Sequence, residues 1–316
     1  MATIDITGLT KTFGDFHAVE DLDLSVQEGE IFGFLGPNGA GKSTTINMLL
    51  DFIRPTSGHI EVLGVDAQEN PAAVRRRVGV LPEGFGFEDP LLGREYLDWA
   101  IESKNADDDP DELLELVGLA GDADRMAADY SKGMQQRLAF AMALVDDPDL
   151  LILDEPSTGL DPNGIQNMRE IIREQASDGT TVFFSSHHLA EVEAVCDRVA
   201  VMKGGRLEAV DTIEGLRENA GGPATITLDC ATPPTELGVA DLDGVTDVTV
   251  EDRTLTVTCT DPSVKADVVT HVAARTQVRD VLSESVSLES LFNDLTGGGR
   301  DGSTAGNEEA ATEVAR

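Results

Sequence analysis

Nine consecutive residues carry the plainest chemistry in the chain. Gly36-Pro-Asn-Gly-Ala-Gly-Lys-Ser-Thr44 fits the phosphate-binding pattern G-x-x-x-x-G-K-[ST] without a gap. Glycines at 36, 39 and 41 free the backbone to turn its N–H groups inward around an oxyanion, which side chains with a Cβ would obstruct. Lys42 is then placed to reach β- and γ-phosphates and Ser43 to hold Mg²⁺. A glycine-rich turn without a ligand is the alternative. Against it stand the strand-like Glu30–Leu35 before the loop and the helical Thr44–Leu50 after it, whose N-terminus faces the phosphates.

Two further stretches have matching chemistry. Leu150-Leu-Ile-Leu-Asp154-Glu155 is an apolar run that ends in two acids: one carboxylate at a strand end to orient Mg²⁺-bound water, a second to polarise the attacking water. Tyr130-Ser-Lys-Gly-Met-Gln-Gln-Arg137 sets a Ser and a Gly at the start of a helix, an anion-binding geometry. By itself that stretch is as compatible with a simple helix cap; its place twenty residues before the Asp-Glu strand gives it weight.

These groups need a framework to meet. Thr3–Leu9, Ala18–Val26 and Glu30–Leu35 alternate as strands, separated by turn signals at Phe13-Gly-Asp15 and Gln27-Glu-Gly29. Gly58–Gly64 and Val78–Pro82 read as short strands around a helix seeded by Asn70-Pro71. From Gly84 to Asp129 the pattern turns helical, with Gly93–Glu102 and Asp111–Leu119 joined by an acidic, disorder-prone loop at Asp107–Asp109. The α/β alternation then resumes: a helix to Val145, a strand to Asp154, a helix over Pro162–Ala176, a strand over Thr180–Ser185, a helix over His188–Cys196, and a hairpin of Arg198–Met202 with Arg206–Val210. This predicts an α/β domain over residues 1–220 with an N-terminal β-layer and a helical subdomain at about 84–134. Ala220-Gly-Gly-Pro223 reads as a linker. Beyond it, residues 221–296 read as a small α+β domain with helices over Pro262–Arg275 and Leu288–Leu295, and 297–316 as a disordered tail.

Composition narrows the classes. Among 316 residues, 59 acids against 23 bases leave a net charge of −36. Self-repulsion of that size opposes compaction, yet at 1 M salt the Debye length is only about 3 Å. With 6 Lys against 17 Arg the chain resembles proteins of salt-loving archaea; an ordinary acidic protein is the alternative. Nucleic acid is disfavoured as a partner, because the one basic run, Arg75-Arg76-Arg77, reads as a solvated helix face. Cys196, Cys230 and Cys259 lack metal spacing and read as small buried hydrophobes. The longest apolar run, Leu138–Val145, is far short of the roughly 20 residues that span a bilayer.

Taken together, the motifs and their order resemble the ATP-binding subunits of ABC transporters, in particular exporters with a C-terminal extension, over residues 1 to about 295. The resemblance implies a P-loop NTPase core and an ATPase that uses ATP and Mg²⁺. Gly36, Asn38, Gly39, Gly41, Lys42, Ser43 and Thr44 would form the Walker A loop. Phe13 would stack on adenine, with a core aromatic as its alternative. Ser131 and Gly133 match the family signature, although Lys132 and Met134 replace its first glycine and its glutamine. Asp154 and Glu155 match Walker B and the catalytic glutamate, Ser157–Asp161 the D-loop, and His187 the switch histidine, with His188 a bystander; a strand-end histidine without a role is the alternative for His187. Glu83 stands where the family has the Q-loop glutamine, still offering an oxygen to Mg²⁺ or water. The resemblance further implies a head-to-tail dimer, a homodimer by default, and peripheral attachment to the cytoplasmic face through a separate permease subunit. The rival within the family is a soluble ATPase of translation or DNA repair. Two cassettes in one chain or long coiled coils would mark it, and neither is present.

Overall fold

The computed structural model of the chain describes residues 2–219, 224–232, 234, 237–260, 263–284 and 292. β1 (Ala2–Phe13) and β2 (Phe16–Gln27) form a hairpin closed by Gly14-Asp15, with Gly14 in the left-handed region at φ 57°. After β3 (Ile31–Leu35) the phosphate loop leads into α1 (Lys42–Leu49). β4 (Ser57–Val62) and β5 (Val65–Asp66) join the hairpin to make an antiparallel sheet in the order β2-β1-β4-β5. The next two elements are α2 (Pro71–Arg76), capped by the Asn70 side chain, and β6 (Val78–Leu81).

The helical stretch holds α3 (Gly93–Lys104) and α4 (Pro110–Leu116). Its acidic connection is more structured than its composition suggests: the Asp109 side chain caps α4, and Asp108 accepts from the Asp146 N–H at 3.1 Å. The chain continues through α5 (Lys132–Leu144), β7 (Leu150–Asp154), α6 (Pro162–Ser177), β8 (Thr181–Ser186), α7 (Leu189–Val195), β9 (Arg198–Lys203) and β10 (Arg206–Thr212). α8 (Ile213–Asn219), not foreseen from sequence, follows.

A six-stranded sheet in the order β10-β9-β3-β8-β7-β6 organises this part, parallel except for the β9–β10 hairpin. The period-two geometry of its strands divides their side chains between two cores. Phe32, Phe34, Ile152 and Phe183 join the apolar face of the antiparallel layer, while Leu151, Leu153, Val182 and Phe184 pack with the helices. Every side chain of β3, β7 and β8 is buried, as a parallel sheet covered on both faces requires.

A third sheet lies further on: β11 (Ala224–Cys230), β12 (Val245–Glu251), β13 (Thr254–Cys259), then α9 (Val264–Ala273) and β14 (Val278–Glu284). Its order is β12-β13-β11-β14, antiparallel throughout, over its own core of Ile226, Leu228, Leu255, Val257, Val268 and Val272. The linker at 220–223, the tail after 297 and the helix expected at 288–295, apart from Phe292, lie outside the described residues.

Two smaller readings meet the structure differently. The three cysteines are buried free thiols, as expected, and burial drives the Cys196 thiol far above its ordinary range. The basic run is exposed, as expected, and two of its arginines also make contacts: Arg75 donates to the Leu50 carbonyl at 2.8 Å, and Arg77 pairs with Asp149 at 2.8 Å.

Candidate active site

The parallel strands bring three chain segments to one end of the sheet. β3 delivers the phosphate loop, β7 delivers Asp154 and Glu155, and β8 delivers Ser185, Ser186 and then His187. A crevice beyond the carboxyl ends of parallel strands is where α/β sheets bind ligands. Here it is a cleft of about 310 Å³, lined among others by Asn38, Gly39, Gly41, Lys42, Ser43, Thr44, Glu83 and Glu155.

The loop needs its glycines for two separate reasons. Gly39 and Gly41 have φ of 79° and 107°, where an L side chain is strained. At Gly36 the obstacle is proximity, since a Cβ would come within 2.6 Å of the Met202 carbonyl oxygen. Lys42, 6 % exposed, donates from Nζ to the Gly36 carbonyl at 2.8 Å and lies 3.4 Å from Glu155 Oε1. The other oxygen of Glu155 is 2.8 Å from His187 Nδ1. One carboxylate therefore joins the phosphate-loop lysine to the strand-end histidine.

Glu155 adopts φ 50°, an uncommon conformation for a non-glycine residue, and its N–H donates to the Ser185 carbonyl at 3.0 Å. The turn that aims its side chain is thereby fixed to the neighbouring strand. Asp154 is 4 % exposed, and burial raises its carboxyl above the ordinary range, while the Ser185 and Ser43 hydroxyls beside it pull the other way. Asp154 Oδ1 and Ser185 Oγ are buried without hydrogen-bond partners, and Glu155 Oε1 has only its ion pair with Lys42. Orphaned oxygen donors of this kind fit a hard cation with its waters, the chemistry of Mg²⁺. The grouping of Glu155 with His187 and His188, whose donor atoms lie within 4.8 Å of one another, is richer in nitrogen and suits Mg²⁺ less well.

The remaining sequence candidates fall in two places. Glu83 lines the cleft just beyond the end of β6. Ser131, Gly133 and Asp161 do not line it. Ser131 caps α5, its Oγ accepting from the Met134 N–H at 3.3 Å, and Asp161 caps α6 through the Gly164 N–H at 2.8 Å. Gly133 packs on the D-loop of its own chain, where a Cβ would sit 2.8 Å from the Gly159 carbonyl oxygen.

Phe13 is half exposed at the hairpin tip, beneath Lys11 Nζ at 4.9 Å from its ring centroid, and is not among the cleft-lining residues. Its cross-strand partner Phe16 lines the cleft instead. An aromatic either side of a two-residue turn was the available sequence signal for Phe16. Nothing local marked Gln136, whose side chain, 8 % exposed, donates to the Pro156 carbonyl at 2.9 Å and steadies the turn after Glu155.

Comparison with known proteins agrees with this geometry. The profile of the ABC transporter family matches residues 19–158. The bacitracin transport ATP-binding protein BcrA of Bacillus licheniformis is 45% identical over 210 residues, 65% of this chain and 68% of the relative. The daunorubicin resistance ATP-binding protein DrrA3 of Streptomyces coeruleorubidus is 34% identical over 306 residues, 94% of this chain and 96% of the relative. Among solved structures, an ATP-binding subunit of an ABC transporter superposes with a TM-score of 0.65 at 30% identity, covering 69% of this chain and 93% of that one. A dimeric bacterial ABC transporter cassette gives 0.61 at 24% identity, over 66% of this chain and 98% of that one, a likeness of fold.

Proposed function

The chain belongs to the ABC transporter family of ATP-binding proteins, and from that premise we propose that it is the ATP-hydrolysing subunit of an exporter, acting as a head-to-tail homodimer on a separate membrane permease. The observation that carries the reading is the carboxylate of Glu155, buried between Lys42 and His187 at the rim of a phosphate-loop cleft.

Hydrolysis is an in-line attack of water on the γ-phosphate. Lys42 exchanges the Gly36 carbonyl and Glu155 for β- and γ-phosphate oxygens, Glu155 then polarises the water, and His187 steadies both the carboxylate and the γ-phosphate. Ser43, Asp154 and Glu83 are the residues that would hold Mg²⁺, which supplies charge neutralisation at the phosphates. In the dimer, Ser131 and Gly133 of one copy cover the nucleotide held by the phosphate loop of the other.

A second feature supports the permease reading. An apolar groove of about 330 Å³ runs between α5 and the start of the helical stretch, lined by Phe52, Pro82, Phe85, Trp99, Ala139 and Met142 among others. Phe52 and Trp99 are each 60% exposed, large for aromatics, although the Arg75 guanidinium lies 5.9 Å from the Phe52 ring centroid. An amphipathic helix of the permease is the proposed occupant. Pro82 lines this groove and Glu83 the nucleotide cleft, so docking and catalysis share one short segment. Among the described residues no helix is long and apolar enough to cross a membrane, so the permease is the proposed anchor at the cytoplasmic face. The sheet of β11–β14 is proposed as a separate domain that regulates or stabilises assembly.

Phosphate release from ATP and Mg²⁺ at high KCl tests the ATPase. Co-purification with a polytopic membrane subunit expressed alongside tests the transporter. Turnover with no membrane partner under any such pairing would favour a soluble role instead.

A further inference from the structure

We infer that Glu191 is a positioning residue for hydrolysis, which clamps the D-loop to the segment bearing His187. The inference rests on the ATPase reading above. Both oxygens of its carboxylate are in use: Oε1 accepts from the Ser157 hydroxyl at 2.5 Å, and Oε2 accepts from the Ser186 hydroxyl at 2.7 Å. Ser157 lies two residues after Glu155, and Ser186 immediately precedes His187. A single side chain thus ties together the two backbone segments whose relative position sets the 2.8 Å contact between Glu155 and His187.

The polarity of the network makes it directional. Because Ser186 spends its proton on Glu191, its oxygen is left to accept, and it does so from the His188 N–H at 3.0 Å. The peptide that follows His187 is therefore held by one hydroxyl, whose orientation Glu191 sets. Ser186 is fully buried and Glu191 half-buried, so these charge-assisted bonds are sheltered from water, where such bonds are stronger than neutral ones. Glu191 itself is anchored in the first turn of α7, its N–H donating to the His188 carbonyl at 3.1 Å.

The other end of the clamp reaches the signature turn. Ser157 opens the D-loop, and the loop's Gly159 is the residue against which Gly133 packs closely. A displacement of the signature turn or the D-loop has a contiguous route, through Ser157, Glu191 and Ser186, to the histidine beside the catalytic carboxylate.

The test uses the full chain at high KCl with Glu191→Ala, Glu191→Gln, Ser157→Ala and the Ser157→Ala/Glu191→Ala pair. Positioning errors near the reacting atoms typically cost up to about 100-fold, so Glu191→Ala is expected to lower kcat roughly 10- to 100-fold with KM for ATP changed less than about twofold. Glu191→Gln should recover part of that loss, because its amide oxygen still accepts from one serine. The double variant should be no slower than Glu191→Ala alone. A readout independent of turnover is the ring ¹H–¹³C NMR signal of His187, assigned with His187→Ala: sharp in the parent, shifted and broadened in Glu191→Ala. An unchanged kcat together with an unchanged His187 signal would overturn the inference. So would a loss that Glu191→Gln does not relieve and that tracks a fall in melting temperature. Absence of turnover in the parent would count against the ATPase reading, and the His187 signal would still decide the clamp. If Glu191→Ala does not fold, Glu191→Gln and Ser157→Ala decide by the same two readouts.

Discussion

His187 Nδ1 lies 2.8 Å from Glu155 Oε2, and the pair sits at the carboxyl ends of two adjacent parallel strands, β8 and β7. The same carboxylate faces Lys42 Nζ at 3.4 Å through its other oxygen. Glu155 and Lys42 thus face each other as a buried pair, a geometry in which removing one partner alone leaves a buried charge. On the proposed reading, ATP would supply Lys42 with a different anion and release Glu155 to work on water.

Glu155→Gln should therefore separate binding from turnover. The amide preserves shape and cannot act as base, so turnover should fall by roughly 10²- to 10⁴-fold, equivalent to about 3–5.5 kcal/mol of barrier. ATP binding should be at least as tight as in the parent, because Lys42 no longer has to leave a carboxylate. Binding of a fluorescent ATP analogue alongside phosphate release measures both. Parental turnover in Glu155→Gln would remove Glu155 from the role of base.

Asp154 gives a prediction about stability. Burial raises its carboxyl, so the ionised form is disfavoured in the folded chain. For an acid raised on folding, stability is fullest below the unfolded value and is lost as pH climbs through the folded value. At neutral pH an ionised Asp154 is thus a net burden, which bound Mg²⁺ would offset on the proposed reading. Asp154→Asn should raise the melting temperature of the nucleotide-free protein at pH 7, by about 2–4 °C for each kcal/mol relieved, and the gain should vanish near pH 3. The same variant should lose Mg²⁺-dependent ATP binding. A lower melting temperature at pH 7 would contradict the assignment.

How much of this was legible in the sequence follows from how local each signal is. The phosphate loop, Asp154-Glu155 and the parallel strands were readable because glycine spacing and apolar runs ending in acid are contiguous patterns. The caps at Asn70 and Ser131 were equally local, each acting on an N–H three residues on. Glu191 was not legible: its partner Ser157 lies 34 residues away, and on a short helix an acid looks like any solvated acid until the tertiary fold brings it to two serines. The contacts that Arg75 and Arg77 make from their exposed face were not legible for the same reason, since the Leu50 carbonyl and Asp149 are set by how α2 packs. Phe16 was missed because the resemblance pointed to one aromatic where the hairpin places two.

Phe13 and Phe16 can be told apart by substitution. Phe16 lines the cleft and is 62% exposed; Phe13 is 50% exposed and has Lys11 above it. Aromatic stacking is worth about 0.5–1.5 kcal/mol beyond area burial, which is roughly 2- to 12-fold in affinity. Phe16→Ala should weaken ATP binding by that factor with kcat little changed. If Phe13 also stacks on adenine, as the resemblance implies, Phe13→Ala should weaken it similarly. Loss only in Phe13→Ala would exclude Phe16 from the nucleotide, and loss in neither would exclude both.

From the net charge of −36, folding is expected to depend on salt. Repulsion among carboxylates is long-ranged at low ionic strength, and is confined to about 3 Å at 1 M. The helical circular dichroism signal and the thermal midpoint should both fall as KCl is reduced from 2 M to 50 mM, and recover when KCl is restored. A midpoint that does not move across that range would rule out the dependence.

Dimerisation across the nucleotide is the most demanding expectation, because Ser131 and Gly133 stand outside the cleft of their own chain. Glu155→Gln, with its γ-phosphate repulsion removed and hydrolysis blocked, should accumulate as a dimer in ATP and Mg²⁺, seen as a doubling of mass by light scattering. Adding Ser131→Arg should abolish that dimer, since a bulky side chain at the N-terminus of α5 blocks the approach of phosphate. Ser131 also caps α5 through the Met134 N–H, and losing a cap costs about 0.5–2 kcal/mol, so the arginine variant needs a control. Ser131→Ala supplies it: the cap is lost, the helix end stays open, and the dimer should persist. Gly133 is less suited to this test, because a Cβ there would press on Gly159 of the same chain at 2.8 Å and disturb the D-loop directly. The arrangement is contradicted if Glu155→Gln remains monomeric at saturating ATP, or if Glu155→Gln/Ser131→Arg dimerises as well as Glu155→Gln/Ser131→Ala.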